Sequence, residues 1–327
     1  MVPHHPSDTL ERYMDIVQGT SSLPTEGESA ITIGFFDGVH RGHQAVIRRI
    51  VDVAKERGLR SVVVTFDRHP LQTLSPGKVP PLLTTLKRKA SYIEELGVDV
   101  LFVLEFTEDT SKWPPEGFVE RILVKGLGTR HISIGTNFTF GHKAAGNLQV
   151  LADLGAANDF TVEAIGIFKV DGRPVSSTSI REALAEGDLV WPERALGRRY
   201  VVEGQVVKGA GRGKGLGWPT ANLRTPNGIL LPGRGVYAGL ATVEENAYPA
   251  AINVGVNPTF GGEPLHLEAH LLGFEGDLVG KVLAIEFWER LRDERRFDSG
   301  EELSAQIRED VEHTRQLLAA RGAPGSL

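Results

Sequence analysis

The chain has 327 residues, 41% hydrophobic and 24% charged, a globular composition long enough for two domains of ~100–150 residues each. It has no cysteine, which excludes disulfides, thiolate metal sites and a cysteine nucleophile and fits a reducing, cytoplasmic setting. A net charge of −6, with no long apolar run and no signal-like start, predicts that neither nucleic acid nor membrane is a partner.

In chain order, Ala30–Gly34 reads as a strand and Gln44–Arg57 as a helix, with Val46, Ile47, Ile50, Val53 and Ala54 at helical spacing and a stop at Gly58. Ser61–Phe66 is a strand, Lys87–Leu96 a helix and Val100–Leu104 a strand. Phe118–Lys125 is a helix, His131–Ile134 a strand, Leu148–Asn158 a helix and Val162–Ile165 a strand. Alternation of this kind with continuously apolar strands predicts a parallel sheet covered on both faces. A linker is expected near Glu186–Gly197. Beyond it the pattern turns all-β, with Tyr200–Val207, Gly235–Val243, Tyr248–Val254, Leu265–Leu272 and Val282–Glu289 as strands of a small antiparallel barrel. A last helix spans Glu301–Ala319, with Ser299 as its N-cap and Glu302 three residues on. The predicted division is 1–188 and 189–327.

The first strand runs into Gly34-Phe35-Phe36-Asp37-Gly38-Val39-His40-Arg41-Gly42-His43 and then a helix. Glycines let the backbone approach a ligand, and a helix N-terminus favours phosphate. Two histidines three apart at that point can stabilise charge on a transferring phosphoryl group. A buried structural pair and a two-histidine metal site are the alternatives, but the Glu and the i, i+4 spacing of a metalloprotease helix are absent. Thr65-Phe66-Asp67-Arg68-His69-Pro70 and Gly135-Thr136-Asn137-Phe138-Thr139-Phe140-Gly141 close two further strands at their C-terminal ends, where open α/β sheets bind ligands. Their aromatic and polar groups suit a planar ring system. Ser176-Ser177-Thr178-Ser179-Ile180-Arg181 opens a helix at the end of the same half and suits a phosphate cradle, or serves only as a cap.

In the second half, residues 194–243 hold eight Lys/Arg against one acid, Glu203. Either a solvated basic surface or a local anion site explains this excess. Gly204–Asn222 is glycine-rich, with Lys208, Arg212 and Lys214 interspersed, and reads as a flap over phosphates or a hairpin without chemistry. It contains neither a dinucleotide fingerprint nor a Walker loop. In Pro219-Thr220-Ala221-Asn222 two side-chain oxygens two residues apart point the same way, a hard ligand pair for nucleotide-bound Mg²⁺. Glu268, sharing a strand face with His270, is a candidate general base in the barrel mouth; an exposed strand Glu is the alternative.

The His-x-Gly-His turn resembles the HxGH nucleotidyltransferases, a Rossmann-like class. Lys87-Arg88-Lys89-Ala90-Ser91 is too early and too poor a match for the KMSKS loop of the tRNA synthetases among them, whereas the Ser-Ser-Thr-x-x-Arg segment matches the adenylyltransferases. With Gly255–Phe260, Leu291–Phe297 and the run from Leu196-Gly197-Arg198 to Ile307-Arg308-Glu309-Asp310, residues 29–312 resemble the bacterial bifunctional riboflavin kinase/FMN adenylyltransferases. The resemblance implies phosphorylation of riboflavin to FMN on the barrel, then adenylylation of FMN to FAD on the α/β half, both with ATP and Mg²⁺. It implies catalytic roles for Glu268, His40 and His43, and ATP contacts at Gly34, Phe35, Asp37, Gly38, Ser177, Thr178, Arg181, Gly209, Gly211, Lys214, Gly217, Thr220 and Asn222. Flavin contacts fall at Phe66, Asp67, His69, Asn137, Phe138 and Arg292, and metal contacts at Thr220 and Asn222. Arg68 stands where that family usually has proline, which implies a less rigid loop. Two other readings stay open: a single working kinase with an altered adenylyltransferase, and a flavin-binding regulator.

Overall fold

The computed structural model describes residues 13–19, 26–209, 217–256 and 265–324. These form two compact units that meet in sequence at Phe168–Lys169, with Pro80–Thr85 belonging to the second. The expected division at 188/189 lies inside that second unit.

The first unit is built on a six-stranded parallel sheet of β1 (Asp15–Gln18), β2 (Ser29–Ile33), β3 (Arg60–Phe66), β4 (Val100–Leu104), β5 (Thr129–Gly135) and β6 (Thr161–Ile165), in the order β1-β4-β3-β2-β5-β6. Every residue of β2 and β4 is buried, as a sheet covered on both faces requires. Ile31, Val62, Val64 and Phe102 pack with Phe118, Ile122 and Leu123 on one face, while Ala30, Val63 and Leu101 pack with Ile47, Ile50 and Ile93 on the other. Helices α1 (Arg41–Arg57), α2 (Pro70–Leu74), α3 (Leu86–Glu94), α4 (Glu108–Ser111), α5 (Pro115–Phe118) and α6 (Leu148–Ala157) connect the strands. The helix expected over Phe118–Lys125 is α5 running into a π-helical segment, Val119–Val124. Edge strand β1 has no counterpart in the sequence reading: four residues, three of them exposed, carry too little periodicity to announce it.

In the second unit, β7 (Lys169–Val170) and β8 (Arg173–Pro174) pair as a short ribbon before α7 (Ser177–Ala185) and α8 (Val190–Leu196). Helix α8 occupies the segment expected to be a linker. Its buried Pro192, Ala195 and Leu196 give it a packed face, and Gly197 ends it at φ 74°. Trp191 Nε1 donates to the Val170 carbonyl (3.4 Å), and the Arg173 guanidinium lies 4.0 Å from its ring, which ties α8 to the ribbon. Strands β9 (Tyr200–Val207), β10 (Ala221–Arg224), β11 (Gly235–Val243), β12 (Asn246–Gly255), β13 (His266–Leu271) and β14 (Val282–Arg292) close an antiparallel barrel in the order β10-β13-β12-β11-β14-β9. The final helix, α9 (Gly300–Ala320), packs Leu318 on Leu240 and Trp288 of the barrel wall, and Ser299 Oγ caps it by accepting from Glu302 N–H (3.1 Å).

Candidate active sites

Strand order reverses between β2 and β5, which are neighbours although β3 and β4 intervene in the chain. At this kind of switch point a crevice opens beyond the strand ends. The Gly34–His43 turn follows β2, Thr136–Gly141 follows β5 and Asp67–His69 follows β3. The sheet therefore gathers three sequence-predicted segments on one edge.

The turn after β2 is contorted. Phe36, Gly38 and Val39 have φ of 53°, 78° and 40°; for non-glycine residues such backbone costs roughly 1–3 kcal/mol each and persists only where the surroundings impose it. His40 then caps α1, its Nδ1 accepting from His43 N–H at 3.2 Å. A neutral His40 therefore carries its proton on Nε2. The His40 and His43 rings stack with centroids 3.5 Å apart. Gly42 gives the stack clearance: a Cβ there would lie 3.2 Å from the His40 ring, which would have to shift by a few tenths of an ångström. Burial first, then His40 and Lys89, hold the His43 imidazole well below its ordinary value, so at neutral pH it is an uncharged donor or acceptor. Gly34 leaves room for the Phe36 ring, and Asp37 and Gly38 are buried in the turn.

Beneath the turn lies Lys89, 2% exposed, which sequence reasoning missed as a site residue. Its Nζ donates to the Phe35 carbonyl (2.6 Å) and Thr65 Oγ1 (3.3 Å) and sits 4.0 Å from the Phe35 ring centroid. Burial lowers its pKa to about 8, against the opposing pull of Asp37. A signal was present: Lys89 falls on the Leu86, Ala90, Ile93 stripe, where a helix buries apolar groups.

The residues after β3 are already engaged. His69 Nδ1 caps α2 by accepting from Leu71 N–H (3.1 Å), and its ring meets Phe35 edge-on at 4.8 Å. Phe66 packs edge-on against Phe106. Asp67 Oδ1 accepts from Phe106 N–H (2.9 Å), and Oδ2 takes the Arg68 guanidinium (2.7 Å). Although desolvation raises the Asp67 carboxyl, the Arg68 and Phe106 hydrogen bonds outweigh it and hold the group low. Arg68 thus supplies an ion pair where the resemblance implies a proline. After β5, Asn137 and Phe138 line a cavity of about 580 Å³ with Thr136, Asn147, Gln149 and Val162; Phe138 stacks on Phe140.

Ser177, Thr178 and Arg181 belong to the second unit, at the start of α7. Ser176 and Ser179 form a reciprocal capping box there, and Arg181 Nε donates to the Pro81 carbonyl (2.6 Å).

On the barrel, register sets Asn222 of β10 opposite Glu268 of β13, and Glu268 opposite Asn253 of β12. Glu268 alternates with buried Leu267 and Ala269, so it lies on the outward side of the wall and not in the barrel mouth, as period-two alternation dictates. His266 Nε2 lies 3.8 Å from its carboxylate. His270 Nδ1 contacts the Pro219 carbonyl (2.7 Å) and meets the Trp218 ring edge-on, fixing the approach to exposed Thr220. Gly217 turns the chain at φ 83°. A Cβ on Gly209 would collide with the Asn222 amide. Gly211, Arg212, Lys214 and Asn257–Phe260 lie outside the described residues. Arg292, expected at the flavin, forks onto buried Asp310 of α9 through Nε (3.0 Å) and Nη2 (2.8 Å). The local basic excess is partly spent within the fold, because Arg194 pairs with Asp171, and Arg199 with Glu193 and Glu286.

A parallel sheet with a histidine-capped helix start at its switch point, joined to a closed barrel with an amide–carboxylate pair on its wall, places the chain among two-domain nucleotide-handling transferases. Comparison with known proteins narrows this. Residues 23–179 match the FAD synthetase family and residues 196–318 the riboflavin kinase family. A Pseudomonas fluorescens protein named bifunctional riboflavin kinase/FMN adenylyltransferase is 40% identical over 308 residues, covering 94% of this chain and 98% of that one. Proteins of the same name from Listeria monocytogenes and Escherichia coli K12 are 35% and 34% identical, covering 97% and 93% of this chain and 97% and 98% of theirs. A solved Streptococcus pneumoniae structure described as a macrolide-efflux protein superposes with a TM-score of 0.84 at 28% identity, over 92% of this chain and 99% of that one. That description concerns the other protein; among the described residues here, no helix is long and apolar enough to cross a membrane. The chain belongs to the bifunctional riboflavin kinase/FMN adenylyltransferase family.

Proposed function

We infer that the chain makes FAD from riboflavin in two ATP-dependent transfers, with residues 189–327 as riboflavin kinase and residues 1–188 as FMN adenylyltransferase. What carries this reading is that each family match contains one chemically equipped segment: the His40–His43 turn within 23–179, and the Asn222–Glu268 pair within 196–318.

In the kinase step Glu268 takes the proton of the riboflavin 5′-hydroxyl as its oxygen attacks the γ-phosphorus of ATP; the bond to the β-phosphate oxygen breaks and ADP leaves. Thr220 and Asn222 offer the neutral oxygens that a magnesium nucleotide accepts, and Gly209 keeps open space beside the Asn222 amide that a Cβ would fill. Bound there, Mg²⁺ neutralises phosphate charge. Gly209, Gly211, Lys214 and Gly217 contribute to the cover over the triphosphate.

In the second step an FMN phosphate oxygen displaces pyrophosphate from the α-phosphorus of ATP. His40 and the uncharged His43, stacked at a helix start, donate to the oxygens that gain charge. Gly34, Phe35, Asp37 and Gly38 shape the ATP turn. Following the resemblance, Ser177, Thr178 and Arg181 hold the departing pyrophosphate. Phe66, Asp67, His69, Asn137 and Phe138 receive the flavin; Arg292 supports the kinase flavin site through its Asp310 anchor. The partners are riboflavin, FMN, FAD and ATP in the cytoplasm, with neither nucleic acid nor membrane.

The test is to assay each reaction separately in Glu268→Ala and His43→Ala. The first loses FMN formation by about 100- to 1,000-fold and keeps FAD formation from supplied FMN; the second does the reverse. Normal riboflavin phosphorylation by Glu268→Ala would remove the base assignment.

A further inference from the structure

We propose that Lys89 is a positioning residue for adenylyl transfer, its buried ammonium clamping the Phe35 carbonyl and so fixing the contorted turn that presents His40 and His43. The inference rests on the reading of that turn as the adenylyl-transfer site.

A buried ammonium is expensive unless something specific receives it. Here the acceptors are the Phe35 carbonyl at 2.6 Å and Thr65 Oγ1 at 3.3 Å, with the Phe35 ring face 4.0 Å away. Thr65 Oγ1 donates to the same Phe35 carbonyl at 3.1 Å. Two donors from two elements, α3 and β3, therefore converge on one carbonyl of the motif.

That carbonyl belongs to the peptide whose orientation decides the φ of Phe36. Rotation of the Phe35–Phe36 peptide would release Phe36 from its left-handed conformation and, with it, the strained path through Gly38 and Val39 into the His40 cap. Both donors oppose that rotation. The charged and titratable groups of this cluster are Asp37, His40, His43, His69 and Lys89. Lys89 also helps to keep His43 uncharged, which leaves that ring one N–H to donate and one nitrogen to accept.

Lys89→Met keeps the length and removes the ammonium. The clamp predicts that kcat for FMN adenylylation falls by about 30- to 100-fold while KM for FMN and for ATP changes by less than about threefold, since misplaced rather than absent groups slow the chemistry. Riboflavin phosphorylation by the same molecules stays within about twofold, and the unchanged KM values together with an unchanged far-UV circular dichroism spectrum report that the α/β unit is folded. Thr65→Val, which removes the second donor, lowers the same kcat by about fivefold. Because the chain has no cysteine, Lys89→Cys can be aminoethylated with 2-bromoethylamine in denaturant and refolded; restored ammonium restores most of the kcat. Adenylylation by Lys89→Met within about threefold of normal, or a loss confined to KM, overturns the clamp. If Lys89→Met does not fold, Thr65→Val at full activity or an aminoethylated chain without recovery overturns it. His43→Ala run in parallel separates the failures: activity kept there removes the site reading, whereas activity lost there but kept in Lys89→Met removes only the clamp.

Discussion

In the α/β unit the candidate chemistry sits in a knot of buried backbone: Asp37 and Lys89 are each 2% exposed, His40 is 6% exposed, and three of the four residues Phe36–Val39 have positive φ. In the barrel the corresponding groups, Asn222 and Glu268, are half-exposed side chains on regular strands, brought together by register alone. The first kind of site is shaped before substrate arrives, at the cost of strain and a buried charge, and depends on residues that never touch the substrate. The second costs the fold little, and its sensitivity is confined to the side chains and the strands that carry them.

The largest departure from this contrast is the Arg292–Asp310 pair, the one deeply committed ion pair of the barrel described above. Arg292→Met leaves Asp310 buried without its guanidinium and is expected to destabilise the barrel by about 3–4 kcal/mol. Chemical denaturation followed by tryptophan emission measures it; a loss below about 1 kcal/mol would make the barrel as tolerant here as at its wall.

The second effect is a pH signature of the α/β unit, carried by Lys89. Lys89 has a folded pKa of about 8 against 10.5 ordinarily, so the unfolded chain binds more protons between those values. Stability therefore rises with pH from about 8 to 10.5, by an amount on the order of 3 kcal/mol, and the gain is absent below about 8. His43, also lowered, acts in the same direction, so stability falls as pH drops below about 6.5. Denaturation curves across pH 7–10 should flatten on the alkaline side in Lys89→Met; an unchanged slope would assign the rise to other groups.

Next come the paired glycine variants. Gly42→Ala drives a Cβ against the His40 ring and should slow adenylylation by about 30-fold without affecting riboflavin phosphorylation. Gly209→Ala puts a Cβ within 2.6 Å of the Asn222 carboxamide, which must turn away from the nucleotide it would hold, so kinase activity should fall at least as far while adenylylation is kept. Loss of both activities in either variant would erase the separation of the two sites. The smallest effect belongs to Arg68→Pro. The Arg68–Asp67 pair is half exposed, so stability should shift by less than about 1 kcal/mol and the Asp67 carboxyl pKa should rise towards its ordinary value, measurable by NMR titration.

Much of this was legible in the sequence because the signals are local. Apolar runs of strand length alternating with helical periodicity announced the parallel sheet; Gly235–Val243 and Val100–Leu104 fall on the observed strands residue for residue. The His-x-Gly-His turn marked the first site because capping and glycine clearance act within four residues. What was missed depends on distant packing. Lys89 became a site residue only when α3 met the β2 turn. Arg292 was committed to a helix 18 residues further on. The outward side of Glu268 follows from which face the closed barrel buries, and α8 took a Gly/Pro-bearing segment because it could pack on the β7–β8 ribbon.

The central claim is that two separate sites perform two successive transfers. Its most direct test is chromatographic separation of the flavins formed from riboflavin, ATP and Mg²⁺ by the Glu268→Ala and His43→Ala variants, alone and mixed. The account predicts unreacted riboflavin from the first, FMN without FAD from the second, and FAD from the mixture. FAD from either variant alone, or none from the mixture, would contradict it.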